Sequence, residues 1–254
     1  MITSGLVSIS FRNIPAAELI DLAAACGLRH IEWGGDVHVP HGDLKTAAAV
    51  RERMDAKNLS CAAYGSYYRA GAPDQPDFEG IARTAVILGA PTIRVWAGNV
   101  GSDVCSPAQW ETVAADLRRI SAIAVSHGLS VSTEYHRGTI TDTNDSAVRM
   151  LNEITVPGFH TYWQPPVDTS VEYRLAGLNA VLPRLTNVHV FQWRQDPDVL
   201  VRLPLKDGAD EWRRYFEAIR RSGRDHAAML EFIKDDSLEQ LKEDAACLNE
   251  WLRG

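Results

Sequence analysis

The segment Ala23-Ala-Ala-Cys-Gly-Leu-Arg-His-Ile-Glu-Trp33 decides the fold. It runs from helix-forming residues through a small break into a short β-rich stretch. Gly27 stands four residues before Ile31, as a helix C-cap feeding a strand should. The same order returns in Val86-Ile-Leu-Gly-Ala-Pro-Thr-Ile-Arg-Val-Trp96, where Gly89 precedes Ile93 by the same interval. Shorter copies occupy Lys57–Tyr64 and Ser126–Ser132, and the breaks fall near 27, 58, 89, 128, 158, 187 and 223. With an opening strand, this spacing predicts eight strands, at 5–11, 29–34, 59–66, 91–97, 129–135, 159–164, 186–192 and 228–233. Amphipathic helices are expected between them, among them Ile14–Cys26, Leu44–Lys57, Asp77–Leu88, Ala108–His127 and Trp212–Ser222, with Leu238–Leu252 last. Alternating strands and helices require a parallel sheet, and eight repeats predict a closed (β/α)8 barrel with its site at the carboxyl-terminal face. An open doubly wound sheet is the rival, but no glycine-rich dinucleotide or phosphate loop follows any strand. No linker divides the chain, so residues 1–254 are expected to form one domain.

Several predicted strands end on side chains that bind metals. Glu134 ends the fifth, Gln164 the sixth, His189 lies in the seventh and Glu231 in the eighth. They are 30, 25 and 42 positions apart, yet a closed barrel gathers strand ends on one face. Carboxylate, imidazole and amide oxygen suit a divalent ion, Mn²⁺ first, with Mg²⁺, Co²⁺ or Zn²⁺ also compatible. Strand parity agrees with this reading. Ser130, Ser132 and Glu134 share one face, as do His160, Tyr162 and Gln164, while Ile93, Val95, Val131, Val188 and Val190 fall on the other. An aliphatic parity belongs under the helices, so the polar one points into the barrel.

Composition narrows the classes. The net charge of −7 and the absence of a Lys/Arg run exclude the electrostatic footprint of a nucleic-acid binder. Cysteines at 26, 61, 105 and 247 show no metal or disulfide spacing, so reduced thiols are expected. No apolar run reaches transmembrane length and the first residues read directly as a strand, so a cytoplasmic protein without membrane partners is expected. A homodimer is compatible with this composition.

With Glu at the fifth strand end, His at the seventh and Glu at the eighth, the chain resembles the xylose isomerase-like barrel superfamily of sugar isomerases and epimerases. The stretch Ile31-Glu-Trp-Gly-Gly-Asp-Val-His-Val-Pro-His-Gly42 is similar to that family's second strand and loop. The resemblance implies a small sugar or polyol-derived ketone as substrate and a ligand set of Glu134, Gln164, His189 and Glu231. Two positions depart from the family pattern. Gln164 and Val167 replace the usual Asp and His at the sixth strand, and Gln192 replaces an Asp after His189. Asp168 is a second choice for the missing ligand. Isomerisation next to a carbonyl needs a base and an acid, which Glu134 and Glu231 supply. His136, Glu32, His38, Arg94 and Trp96 are the expected substrate contacts, with His41 and the tryptophans at 33, 163 and 193 also near strand ends. A dehydratase acting on an inosose or dehydroshikimate would share the first step. A non-catalytic sugar-binding barrel is the reading from another class, although it has no need of paired proton-transfer groups. An abasic-site endonuclease needs more His and Asp ligands and a basic surface, which this chain lacks.

Overall fold

The computed structural model describes residues 1–197 and 199–253. Eight parallel strands close into a barrel: β1 (Ile2–Val7), β2 (His30–Gly34), β3 (Ser60–Arg69), β4 (Thr92–Trp96), β5 (Ser130–Glu134), β6 (Phe159–Trp163), β7 (Leu185–Val190) and β10 (His226–Leu230). The helices α1 (Ala16–Ala25), α2 (Leu44–Ala56), α3 (Phe78–Leu88), α4 (Pro107–Ser126), α5 (Asn144–Glu153), α6 (Val171–Val181), α7 (Ala209–Arg220) and α8 (Leu238–Arg253) follow them in turn. Closure is made by β1 against β10, from Ile2 beside His226 to Leu6 beside Leu230.

The quoted breaks work as the spacing predicts. The chain turns through left-handed residues at Gly27 (φ 68°), Gly89 (φ 77°) and Gly128 (φ 74°), with Asn58 (φ 55°) serving where no glycine is present. Starts are equally local: Ser106 and Gln109 form a capping box around Pro107, and Asp77 and Thr143 cap α3 and α5. The aliphatic parity is buried under the helices in one large core that includes Ile31, Trp33, Ile93, Val95, Val131, Val188 and Val190. A smaller cluster of Val7, Ala62, Ala63, Tyr162, Ala227 and Met229 lies apart from it. Asn187 of β7 reaches across the barrel, donating to the Ala62 carbonyl at 3.3 Å and to the Tyr162 hydroxyl at 2.8 Å. The buried polar residues are thereby tied to one another, as the low dielectric demands.

Two expectations need correction. The first strand spans Ile2–Val7 instead of 5–11, because Ser8–Phe11 coils into a 3₁₀ turn, with the Ser8 hydroxyl accepting from the Gly34 amide at 2.9 Å. The predicted seventh strand to residue 192 breaks at Phe191, and Gln192 opens an antiparallel hairpin of β8 (Gln192–Gln195) and β9 (Leu200–Leu203). Residues 196 and 199 exchange backbone hydrogen bonds at its tip, and no glycine stands between them in the sequence, so no hairpin signature marked it. No helix among the described residues is long and apolar enough to cross a membrane.

Trp212 of α7 anchors this region: fully buried, it donates to the Phe191 carbonyl at 3.0 Å and packs on Trp163, Tyr215 and Phe216. Trp212→Ala should therefore cost about 3–5 kcal/mol. The midpoint of urea unfolding measures this, and an unchanged midpoint would show that the helix layer does not hold the hairpin's base.

Candidate metal centre and active site

The site begins with a charge imbalance inside the barrel. Glu32 on β2, Glu134 on β5 and Glu231 just after β10 are each at most 4% exposed, as are Arg94 on β4 and His189 on β7. Arg94 bridges two of the acids, through Nε to Glu32 Oε1 and through Nη1 to Glu134 Oε2. The Trp96 indole N–H donates to the same Glu134 oxygen at 2.6 Å. With His189 neutral, three buried carboxylates face one buried guanidinium, leaving two negative charges uncompensated. Buried charge is retained only where it is paired.

His189 shows where the compensation belongs. Its Nε2 lies 3.2 Å from Glu32 Oε2, and in the neutral tautomer that donates there the Nδ1 lone pair is turned to the other side. There Nδ1 meets three oxygens: Glu231 Oε2 at 3.0 Å, Glu134 Oε1 at 3.2 Å and Gln164 Oε1 at 3.4 Å. In that tautomer Nδ1 can donate to none of them, and Glu231 Oε2 is buried without a hydrogen-bond donor. What this point requires is positive charge. Burial disfavours the His189 imidazolium, yet Glu231, Glu32 and Glu134 raise its pKa well above the ordinary value. Burial likewise opposes ionisation of Glu134, but Arg94 and then His189 outweigh it and hold that carboxyl below its usual range.

The donor set fits a divalent cation. Glu134, His189 and Glu231 form the cluster of titratable donors whose atoms lie within 4.8 Å of one another among the described residues. Neighbouring ligands on an ion bound at about 2.1 Å and near right angles stand about 3 Å apart. Gln164 is oriented for the same point, since its Nε2 donates to the Tyr135 carbonyl at 2.6 Å and turns Oε1 toward His189. One divalent charge would cancel the two left over by Arg94. Asp168, the second choice for a ligand, is exposed in the loop after β6 and lines a separate cavity with Arg174 and Glu211.

A cavity of about 520 Å³ opens onto this cluster, lined by Arg12, Tyr67, Arg94, Trp96, Glu134, His136, Arg202, Glu231 and Phe232 among others. Arg94, Trp96 and His136 thus line this cavity. Glu32 and His38 do not. Glu32 is sealed beneath the site as the partner of Arg94 and His189, and His38 is turned away, its Nε2 on the Ile14 carbonyl at 3.1 Å and its ring against Trp33. His41 is held by the Tyr64 hydroxyl and the Ser66 carbonyl. Trp33 and Trp163 are core residues, fully buried.

Sequence reasoning missed Arg12, Tyr67, Arg202 and Phe232. Tyr67 (φ 57°) and Phe232 (φ 52°) hold left-handed backbone, unfavourable for large side chains and common where a site imposes the geometry. Tyr67 accepts from Arg12 at 2.9 Å, and burial pushes its phenol up to about 12, so it stays protonated at neutral pH. Neither residue had a signal in the sequence beyond its nearness to a strand end.

Two outcomes follow from the charge cluster. Mn²⁺ or Mg²⁺ should raise the melting temperature and a chelator should reverse the effect, because an ion bound only by the folded state stabilises it. Arg94→Met should cost about 3–5 kcal/mol in a denaturant titration, since it strips Glu32 and Glu134 of their buried partner. A melting temperature indifferent to divalent ions would remove the metal reading.

The fold has many solved counterparts. A probable 3-DHS dehydratase, AsbF, from Bacillus anthracis superposes with a TM-score of 0.81 at 20% identity, covering 98% of this chain and 99% of that one. A xylose isomerase-like TIM barrel protein from Mycobacterium smegmatis in complex with magnesium gives 0.77 at 17% identity, covering 98% and 96%. D-psicose 3-epimerase from Clostridium cellulolyticum H10 gives 0.74 at 12% identity, covering 99% and 98%. At these identities the likeness is one of fold. No curated protein matches the chain in sequence. Residues 20–251 match the model of the xylose isomerase-like TIM barrel, and the chain belongs to that family.

Proposed function

We propose that this protein is a divalent-metal-dependent isomerase or epimerase that moves a proton next to the carbonyl of a small polyhydroxylated ketone. The observation that supports this reading best is the pairing of two buried glutamates on either side of His189 Nδ1, at the floor of an open cavity. A divalent ion held by Glu134, Gln164, His189 and Glu231 would chelate the carbonyl and neighbouring hydroxyl oxygens and draw off the negative charge that develops on them. Mn²⁺ is the first choice, since carboxylates, one imidazole and an amide oxygen form a mostly hard donor set.

The two glutamates divide the work unequally. Glu134 has Oε2 committed to Arg94 and Trp96, which fixes the carboxylate and keeps it ionised. Glu231 is held by neither Arg94 nor Trp96, its Oε2 facing His189 Nδ1 at 3.0 Å, so its carboxylate is the less committed of the two and is available to accept a carbon-bound proton. Glu231 is therefore assigned the first abstraction. Glu134 holds the ion and meets the substrate from the opposite side as partner in the acid/base pair. Glu32 is a positioning residue, setting the His189 tautomer. Trp96 and His136, with ring centroids 4.9 Å apart, form the wall against which the carbon chain rests.

Incubating the Mn²⁺-loaded protein in D₂O with a panel of ketoses and inososes, read by NMR, tests this directly. Deuterium should enter at the carbon next to the carbonyl. Glu231→Gln, which keeps an oxygen at the ligand position, should lower the exchange rate by about 10²–10⁴-fold. Wild-type exchange in that variant would refute the assignment of the base.

A further inference from the structure

A second cavity of about 390 Å³ adjoins the first and has a different character. The two share His136 and Phe232, and the second also reaches Gln164, the fourth candidate ligand. Its walls include Pro165, Pro166 and Val167 from the loop after β6, facing Phe191, Trp193 and Phe232. The last three are a continuous aromatic surface: Phe191 stacks on Trp193 at 4.2 Å with 22° between planes, and Trp193 meets Phe232 at 4.7 Å. Polar side chains, among them Arg137, Asp142, Thr143 and Thr169, also reach this cavity, but the proline and aromatic walls themselves offer a bare polyol no side-chain partner, and each hydroxyl laid against them would be desolvated at a cost.

The β8–β9 hairpin builds both compartments at once. Trp193 and Arg202 are directly opposed in its register, and Leu200 lies two residues from Arg202, so all three share one face. Arg202 lines the first cavity, while Trp193 and Leu200 line the second. Phe232, held left-handed immediately after Glu231, stands between them. The division therefore falls right beside the proposed base. Together the cavities approach the upper end of the about 300–1,000 Å³ that holds drug-sized ligands, more than a single small sugar fills.

We infer that the second cavity is a subsite for a planar aromatic group carried by the substrate, so that the natural substrate is an aryl-bearing hydroxy ketone and not a free sugar. This rests on the proposed proton-transfer reading, because it takes the hydroxy ketone end to lie between Glu134 and Glu231. The ring would then extend past His136 and Phe232 onto the Trp193 face, with the prolines and Val167 closing on its other side. Aromatic rings are favoured in such a slot because they bury a large flat area at little cost in conformational freedom.

The test uses two α-hydroxy ketones with the same chelating end, 1-hydroxybutan-2-one and 1-hydroxy-4-phenylbutan-2-one, titrated calorimetrically into the Mn²⁺-loaded protein. The phenyl compound should bind at least about tenfold more tightly, the gain expected for burying one aromatic side chain. Trp193→Ala, on the surface hairpin, and Val167→Asp, which places a charge in the slot, should each reduce that ratio below about threefold, with circular dichroism confirming the fold of both variants. Equal affinity for the two probes, failure of both to bind at millimolar concentration, or a preference that survives both variants would overturn the subsite. The exchange assay in D₂O keeps the two ideas apart. Exchange without aryl preference removes the subsite and leaves the reaction, whereas preference without exchange does the reverse.

Discussion

The Arg94 guanidinium, bonded at once to Glu32 and Glu134 in the centre of the barrel, is the interaction on which the site depends. It makes two buried carboxylates tolerable and fixes their directions, which is why Glu32 can set the His189 tautomer and Glu134 can present a single oxygen to His189 Nδ1. The backbone was shaped around it. A Cβ at Gly65 on β3 would stand 2.7 Å from Arg94 Nη2 and 2.9 Å from Glu32 Oε1, so only glycine leaves room for the pair. Stability and chemistry are opposed here. Apolar residues of similar volume would fold as well or better, but they would not leave an oxygen-lined point short of positive charge.

Much of this was legible in the sequence, for identifiable reasons. Break residues such as Gly27 and Gly89 are dictated by local backbone geometry, and the alternation of strand and helix follows from them. Glu134, His189 and Glu231 were found because a parallel barrel turns distance along the chain into proximity at one rim. Gln164 was readable as a candidate ligand only by its place at a strand end. Its carbonyl contact with Tyr135, which aims the amide oxygen, depends on three-dimensional packing.

What was not legible depends on pairing or on irregular backbone. Glu32 and His38 look alike in the sequence, two polar residues near the second strand's end, yet one is sealed under the site and the other is bound to the loop at Ile14. Which way a rim side chain turns depends on the acceptor it finds, and that acceptor belongs to another segment. The hairpin was missed because the stretch 196–199 carries no glycine to signal a tight turn in the sequence. Tyr67 and Phe232 were missed because left-handed backbone at a large residue is imposed by its surroundings.

The charge cluster and the walls of the two cavities therefore have different origins. Residues proposed to act on the proton or hold an ion sit on or directly after barrel strands, where hydrogen bonding to neighbouring strands limits their movement. Residues that shape the two cavities come from Arg12 in the first loop, the proline loop after β6 and the inserted hairpin. Loop residues can change with little penalty to the barrel, whereas a change at Arg94 or Glu32 leaves a buried charge unpaired. The hairpin occupies a position of leverage in this arrangement. One of its faces supplies a guanidinium to the polar compartment and an indole to the apolar one, so the register of four residue pairs decides what lies on each side of Phe232. Its base is held by the Trp212 hydrogen bond to Phe191. The hairpin that lines both cavities is thus tied mechanically to the helix layer, while the charge cluster rests on the barrel strands.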